Sequence, residues 1–240
     1  MYLSEIHLFP RFHQIVQESI NSGNMQIAVE ECLLNATQQR ISDCLDREIE
    51  KSQKNGQNSH FFSRLSQILV REDPSTFHQF LMREKEMTFK SVPWWFSQSA
   101  HDLLVLSEKN LRQIPTKWSS IIRIVNSAEP CSSVLIACSN ENIVETVKLL
   151  LAEGPERALL ERMDRKKFPT VQNELDSLPM WEGNVTATTT VCLFSELSEL
   201  ISEATTIVLT EMNLGAIRGI EIHAKNPLNL FILKTNIDPD

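Results

Sequence analysis

The side chains that most often carry catalysis are scattered through this 240-residue sequence. The six histidines form no HExxH, HxH or i, i+4 pair, so a metal site would need ligands from distant segments. The five cysteines form no CxxC pair, which is the usual spacing of zinc and redox sites. GxSxG, GxxxxGKS/T and GxGxxG are absent, so the chain lacks a nucleophile elbow and a glycine-rich phosphate loop. We therefore predict no catalytic, cofactor-binding or metal-binding residue and favour a protein without enzymatic activity.

An enzyme without a short motif stays open as an alternative. It would join distant polar side chains such as His101, Cys138 and His223 in a deep pocket. Cys138 with His101 could form a nucleophile pair. A cysteine needs a lowered pKa to be reactive, however, so a small buried side chain is the favoured interpretation of Cys138.

The most concentrated aromatic feature is Val92-Pro93-Trp94-Trp95-Phe96. Pro93 forces Val92 out of the helical conformation, and two adjacent tryptophans cannot both face one core. The cluster is interpreted either as a packing anchor between helices or as a binding hot spot, since tryptophan dominates such sites. We predict that Trp94, Trp95 and Phe96 contribute to binding a partner.

The elements that position this cluster are predicted to be helices. Apolar residues recur at helical spacing over 12–20, 25–49, 60–70 and 101–111, the second stretch with a break near 37–39. Asp73 followed by Pro74 marks the start of a further helix, because Asp caps helices and Pro suits their first turn.

The segment 119–154 has two competing interpretations. In one, Ser119–Asn126 and Cys131–Asn140 are strands that lead into a helix at Ile143–Leu151. In the other, Ser133–Gly154 is a helical hairpin. That stretch resembles one ankyrin repeat, with Leu135, Ala137 and Cys138 in the first-helix pattern and Asn140 in the turn. The Thr-Pro opening and a second copy are missing.

The C-terminal segment is the most regular. Apolar residues from Val191 to Met212 predict one long amphipathic helix, and Ile217–His223 and Leu230–Lys234 predict a β-hairpin. A helix followed by a hairpin resembles the second half of roadblock or longin-type modules, which implies scaffolding within a multisubunit complex. The last strand would be an unpaired sheet edge, so Leu230 and Ile232 are further predicted partner-binding residues.

Together these patterns predict an α+β, predominantly helical fold. It has a helical N-terminal half and a smaller C-terminal α/β part that ends in a helix plus a β-hairpin. We place a domain division between 1–115 and 116–240, with one continuous domain as the alternative.

The net charge of −8 disfavours attraction to nucleic acid or an anionic membrane. The densest basic run is Arg162, Arg165, Lys166 and Lys167. No apolar run approaches the length of about 18 residues that a membrane span needs. The dispersed cysteines and the N-terminus, which lacks a signal-peptide pattern, predict a cytoplasmic or nuclear protein that is not secreted.

The leading hypothesis is a non-enzymatic intracellular adaptor or subunit of a multiprotein complex. It would bind protein partners through helix faces, the aromatic cluster and a sheet edge, with no cofactor and without direct nucleic-acid binding. The alternatives are an enzyme without a short motif and a nucleic-acid-associated factor that uses the local basic patch.

Overall fold

The computed structural model describes residues 25–56, 59–129, 132–164, 184–189, 198–211, 213–224 and 227–235. Their contacts group into two units. Unit 1 contains the described residues of Met1–Glu31, Arg123–Val144 and Pro179–Asp240. Unit 2 contains those of Cys32–Ile122 and Glu145–Leu178. The predicted domain division after residue 115 stays a prediction, because this grouping does not test independent folding.

Five strands and nine α-helices lie within the described residues. The strands are β1 (Met25–Cys32), β2 (Ser133–Cys138), β3 (Asn184–Thr189), β4 (Thr206–Leu209) and β5 (Leu228–Thr235). The helices are α1 (Ala36–Lys54), α2 (His60–Arg71), α3 (Pro74–Thr88), α4 (Gln98–Asn110), α5 (Thr116–Ser127), α6 (Glu141–Glu153), α7 (Pro155–Asp164), α8 (Ser198–Glu203) and α9 (Leu214–His223). A short 3-10 helix occupies Pro93–Phe96. None of the described helices is both long and apolar enough to cross a membrane.

The strands of unit 1 form one sheet in the order β1-β5-β4-β2-β3. β2 pairs in parallel with β3 on one side and with β4 on the other, and β4 pairs in parallel with β5. Every residue of β4 and five of the six in β2 are buried. Strands that are apolar on both faces are typical of the interior of a parallel sheet, where helices cover each side.

Unit 2 is built from helices whose starts are encoded locally. Asn35 caps α1, and its side chain accepts hydrogen bonds from the backbone N–H groups of Thr37 and Gln38. The Gln38 side chain in turn accepts from the Asn35 N–H, completing a capping box. Asp73 caps α3, with Pro74 in the first turn as predicted. The predicted stretches 60–70 and 101–111 correspond to α2 and α4.

The predicted fold class is confirmed, since the protein combines a helical N-terminal half with a sheet whose strands, apart from β1, lie in the C-terminal half. The predicted β-hairpin is wrong. Ile217–His223 lies within α9, and β5 pairs in parallel with β4, which requires a crossover helix. The described part of the predicted long helix 191–212 is α8 followed by the strand β4. The resemblance to roadblock or longin-type modules therefore does not hold.

The first interpretation of 119–154 is confirmed for the strand within 131–140 and the helix at 143–151 but is wrong for 119–126, and the helical-hairpin interpretation is wrong. Residues 119–126 belong to α5, whose buried Trp118, Ile121 and Val125 recur at helical spacing. This periodicity outweighs the β-branched composition. Ser133–Cys138 is a strand and Glu141–Glu153 a helix, so neither a strand hairpin nor an ankyrin-type helical hairpin forms.

The prediction of one helix over 25–49 is wrong in its first third, where Met25–Cys32 forms β1. Met25 is buried, Ile27 and Val29 are half-buried, and Gln26 and Ala28 between them are exposed, which is the alternation of a strand. The predicted helix at 12–20 lies outside the described residues.

Candidate functional site

The tryptophans of the aromatic cluster are packing anchors. Trp95 is buried, and its Nε1 donates to Thr88 Oγ1 at 2.8 Å. Trp94 is half-buried, and its Nε1 donates to Glu48 Oε2 at 3.1 Å. Both rings meet Phe61 edge-on with centroids 5.8 Å apart. Trp95 therefore offers almost no surface to a partner, which corrects the prediction for that residue.

Phe96 is different, because it is 70% exposed. Its ring lies 4.7 Å from the ring of Phe89, centroid to centroid, at an interplanar angle of 49°. Lys85 Nζ lies 6.0 Å from the Phe89 centroid, and Lys90 is exposed beside it in sequence. We call Lys85, Phe89, Lys90 and Phe96 the aromatic patch.

Local backbone geometry builds this patch. Phe89 is the C-cap of α3 and keeps helical dihedrals, and its N–H donates to Lys85 O at 2.8 Å. Val92 is extended, as Pro93 requires, and its N–H donates to Thr88 O at 2.9 Å. The turn after α3 thus brings the ring of Phe96 next to the ring of Phe89.

The sequence prediction missed Phe89 and Lys85. The buried face of α3 follows Phe77 and Leu81, and the next positions on that stripe are 84, 85 and 88. The available signal was Phe89 itself, an aromatic residue off this stripe, with Lys85 four residues before it and Lys90 directly after it.

The predicted sheet-edge residues are not at an edge. Leu230 and Ile232 have no exposed surface, and their strand β5 lies between β1 and β4. Leu230 is in register with Ile207, and Ile232 with Leu209, in the apolar core of unit 1. These two side chains stabilise the sheet and are not accessible to a partner.

The prediction that Arg162 belongs to a basic surface patch is wrong. Arg162 is buried, and its Nε and Nη2 donate to Asp73 Oδ2 at 3.1 and 2.9 Å. The backbone oxygen of Arg162 accepts from Ser75 Oγ at 2.9 Å. Arg162 therefore fixes α7 to the start of α3 and is not a surface cation. Arg165, Lys166 and Lys167 lie outside the described residues.

A polar cleft of about 440 Å³ lies between α1 and α4. Arg40, Arg47 and His101 line it together with Asp43 and Asp102, so positive and negative groups are mixed. Cys44 is also in its wall, and burial raises the pKa of this thiol, which keeps it protonated and unreactive. The cleft has no excess of either charge to select a ligand.

The carboxyl ends of β2 and β4 form a second polar region, within unit 1. The chain leaves β2 toward β3 on one side and later continues to β4 on the other, and ligands in open α/β sheets bind at such a reversal. Asn140 and Asn213 cap the helices that follow, each accepting a backbone N–H at 3.0 Å. Thr210 ties the two strand ends together through its N–H to Ala137 O at 3.0 Å.

The residues of the enzyme alternative are not brought into one described pocket. Cys138 is buried at the end of β2 in unit 1, whereas His101 is exposed on α4 in unit 2. His223 is the last residue of α9. Among the described residues no group of three or more His, Cys, Asp or Glu is arranged to hold a metal ion.

Comparison with known proteins shows similarity in fold to solved structures and no relative in sequence. No protein-family model and no curated protein matches the chain. The chain is similar to the solved Hef helicase domain of Pyrococcus furiosus, with a TM-score of 0.58 and 10% sequence identity over 89% of this chain. It spans 55% of that domain. The C-terminal part of the Fun30 ATPase domain aligns with a TM-score of 0.45 and 10% identity, over 89% of this chain and 85% of that one.

The hypothesis of a non-enzymatic adaptor is therefore wrong. It depended on the aromatic cluster and on a helix plus hairpin with an unpaired last strand. In the structure Trp95 is buried, and β5 lies in the interior of a five-stranded sheet. The fold is similar to that of the Hef helicase domain, of which the chain spans 55%, and differs from that of a small scaffolding module. A protein partner in a hetero-complex stays a prediction.

Proposed function

We propose that this protein binds nucleic acid through a helicase-like domain. The observation that carries the proposal is its similarity in fold to the Hef helicase domain, a likeness that extends over 89% of the chain. A helicase acts on nucleic acid, and the nucleic-acid-associated factor was one of the two alternatives that the sequence left open.

The distribution of charge supports the proposal. Residues 32–122 contain 12 Lys and Arg against 10 Asp and Glu, a net charge of +2, although the whole chain has a net charge of −8. The negative charge thus belongs to the rest of the sequence. A polyanion can approach the helical segment without the repulsion that the total charge implies, because fields from distant charges are screened within about 10 Å at ordinary salt.

The proposal is for binding and not for nucleotide hydrolysis by this chain alone. The sequence has no GxxxxGKS/T motif, whose glycines and lysine bind the phosphates of a nucleotide. The chain also spans only 55% of the Hef helicase domain. Nucleotide hydrolysis is therefore not part of the proposed function.

Fluorescence anisotropy tests the proposal with labelled DNA of about 20 nucleotides, single-stranded and duplex. We expect binding at about 50 mM salt that weakens roughly twentyfold at about 200 mM, as about three phosphate contacts to a single strand would require. A peptide nucleic acid of the same base sequence is the matched control, because it keeps the bases and lacks the phosphates. Absence of binding to either DNA at low salt would overturn the proposal.

A further inference from the structure

We infer that the aromatic patch is a binding site for single-stranded nucleic acid. Bases would stack on Phe89 and Phe96, and the ammonium groups of Lys85 and Lys90 would contact the phosphates. This inference rests on the proposed function and adds to it the class of nucleic acid and the residues that bind it.

Ring exposure is the first argument. Phe96 is 70% and Phe89 37% exposed, whereas Trp95, next to Phe96 in sequence, is buried. Exposing two touching phenylalanine rings to water is costly, and such surfaces commonly mark binding sites. Every base has a flat π-face, so aromatic rings bind single strands with little dependence on sequence.

The charge of the aromatic patch favours a nucleic acid over an apolar protein segment as its occupant. Neither Lys85 nor Lys90 forms an ion pair among the described residues. Glu86 is the exposed acid on the same turn, while Glu84 lines a separate cleft with Arg64 and Phe80. The patch with Glu86 thus keeps a net charge of +1, which is complementary to a phosphate backbone. A purely apolar protein segment would leave both lysines without a counter-charge.

Rigidity of the support is the third argument. The turn that carries the rings is fixed by the Trp95 indole, whose Nε1 donates to Thr88 Oγ1 at 2.8 Å, and by Ser97 N–H, which donates to Trp94 O at 2.9 Å. The backbone that carries Phe96 is therefore fixed before a ligand arrives. A preorganised support loses less conformational freedom on binding, which favours affinity.

A single strand is the occupant that this geometry favours over a duplex. The bases of a duplex are stacked on one another, so their faces are not available to protein side chains, while those of a single strand are. The site should therefore prefer single-stranded over duplex DNA of the same length.

The test measures the affinity of variants of the full chain by fluorescence anisotropy, on oligo(dT) and on a duplex, each of about 20 nucleotides. The first is the double variant Phe89→Ala/Phe96→Ala, and the second is Lys85→Ala/Lys90→Ala. The control is Leu160→Ala, which removes a side chain 53% exposed on α7. Circular dichroism and the melting temperature establish that each variant is folded.

We expect the phenylalanine double variant to lose about tenfold or more in affinity with an unchanged salt dependence, as expected from lost stacking. The lysine double variant should bind more weakly and show a salt slope smaller by about 1.4, the value for two lost contacts to a single strand. Phe96→Trp, which keeps a stacking surface, should restore binding relative to Phe96→Ala. Leu160→Ala should bind as the wild type does.

The outcomes separate this inference from the proposed function. If the wild type binds DNA and both folded double variants bind within about twofold of it, the patch is not the site, while the proposed function stands and a protein contact becomes the better assignment for the patch. If the phenylalanine variant loses duplex and single-strand binding equally, stacking is refuted. If the wild type does not bind, both proposals fail.

Discussion

The buried clusters of the two units are built from different kinds of side chain. The buried cluster described in unit 1 contains no aromatic ring and is built from Leu, Ile and Ala side chains with Met25. The core of unit 2 combines aliphatic side chains with Phe62, Phe77 and Trp95, and half-buried Trp94 and Phe61 pack against it. Aromatic rings with polar atoms need hydrogen-bond partners, so unit 2 also contains buried polar links that the core of unit 1 does not require.

This difference bears on where function resides. The interior strands β2 and β4 of unit 1 are buried on both faces, so their side chains serve packing. The helices of unit 2 place aromatic and charged side chains together at the ends of elements, as in the aromatic patch at the end of α3.

Removing Arg162 should produce the largest loss of stability. Its side chain is 5% exposed and pairs with Asp73, whose side chain is fully buried. Arg162→Met leaves a buried carboxylate without its cation, and we expect the free energy of unfolding to fall by about 3–5 kcal/mol. Urea unfolding followed by tryptophan fluorescence measures this change, since Trp94, Trp95 and Trp118 all lie in unit 2.

The matched control is Arg157→Met on the same helix. Arg157 pairs with Glu161, but its side chain is 58% exposed, and such surface pairs contribute less than about 1 kcal/mol. Equal losses in the two variants would contradict the structural role assigned to Arg162 and would leave it available as part of a basic surface.

Truncating Leu230 should destabilise unit 1 without any loss of a polar contact. This side chain is fully buried in an interior strand, so Leu230→Ala should lower the free energy of unfolding by about 2–5 kcal/mol. Asn229→Ala, at an exposed position on the same strand, should change it by less than about 0.5 kcal/mol. Circular dichroism during urea unfolding reports both. A stable, folded Leu230→Ala protein would return this residue to the sheet edge that the sequence suggested.

The sequence predicted unit 2 much better than unit 1, and the reason is physical. The helices α2, α3 and α4 each encode their own apolar stripe or cap within the segment that forms them, such as Asp73 with Pro74. A parallel strand is defined by neighbours that are distant in sequence. Thr206–Leu209 has only four residues and no alternation, because both of its faces are buried, so its apolar residues were absorbed into a helical pattern.

The candidate site was predictable in part. Phe96 was identified from the aromatic run, but the same run contains Trp95, which is buried, and no periodicity distinguishes the two in a 3-10 turn. Phe89 was missed because its proximity to Phe96 depends on the reversal of the chain after α3. Leu230 and Ile232 were assigned to an edge because a hairpin was assumed, and the position of a strand in a parallel sheet depends on its crossovers.

Removing the cap of α1 should lower the free energy of unfolding moderately. Asn35→Ala deletes the acceptor of two backbone N–H groups, at 3.0 Å from Thr37 and 2.9 Å from Gln38, and should cost about 1 kcal/mol. Asn35→Asp should retain most of the stability, because a carboxylate also caps. An unchanged free energy of unfolding in Asn35→Ala would contradict the role of Asn35 as the cap that starts α1.

The smallest expected effect is a pH dependence confined to unit 2. His78 is half-buried between α3 and α4, and its Nδ1 lies 3.0 Å from Ser107 Oγ. Ser107 donates its own proton to Leu104 O at 2.8 Å, so it must accept from His78 Nδ1–H, and the neutral ring satisfies this arrangement. Burial lowers the pKa of His78 below its ordinary value, and the charge of Glu108 opposes this shift only in part.

The sign of this effect follows from proton linkage. Because the unfolded chain binds a proton at His78 more readily than the folded one, stability is independent of this group above about pH 6.5 and falls as the pH drops below that value. His78→Asn keeps a donor toward Ser107 and cannot titrate, so the loss of stability between about pH 7.5 and pH 5.5 should be smaller in this variant than in the wild type. His101→Gln, which changes an exposed histidine on α4, should leave the wild-type dependence intact. An unchanged loss in His78→Asn would mean that the ring is hydrated in solution and that polar side chains at the α3–α4 contact are as accessible as those on the surface.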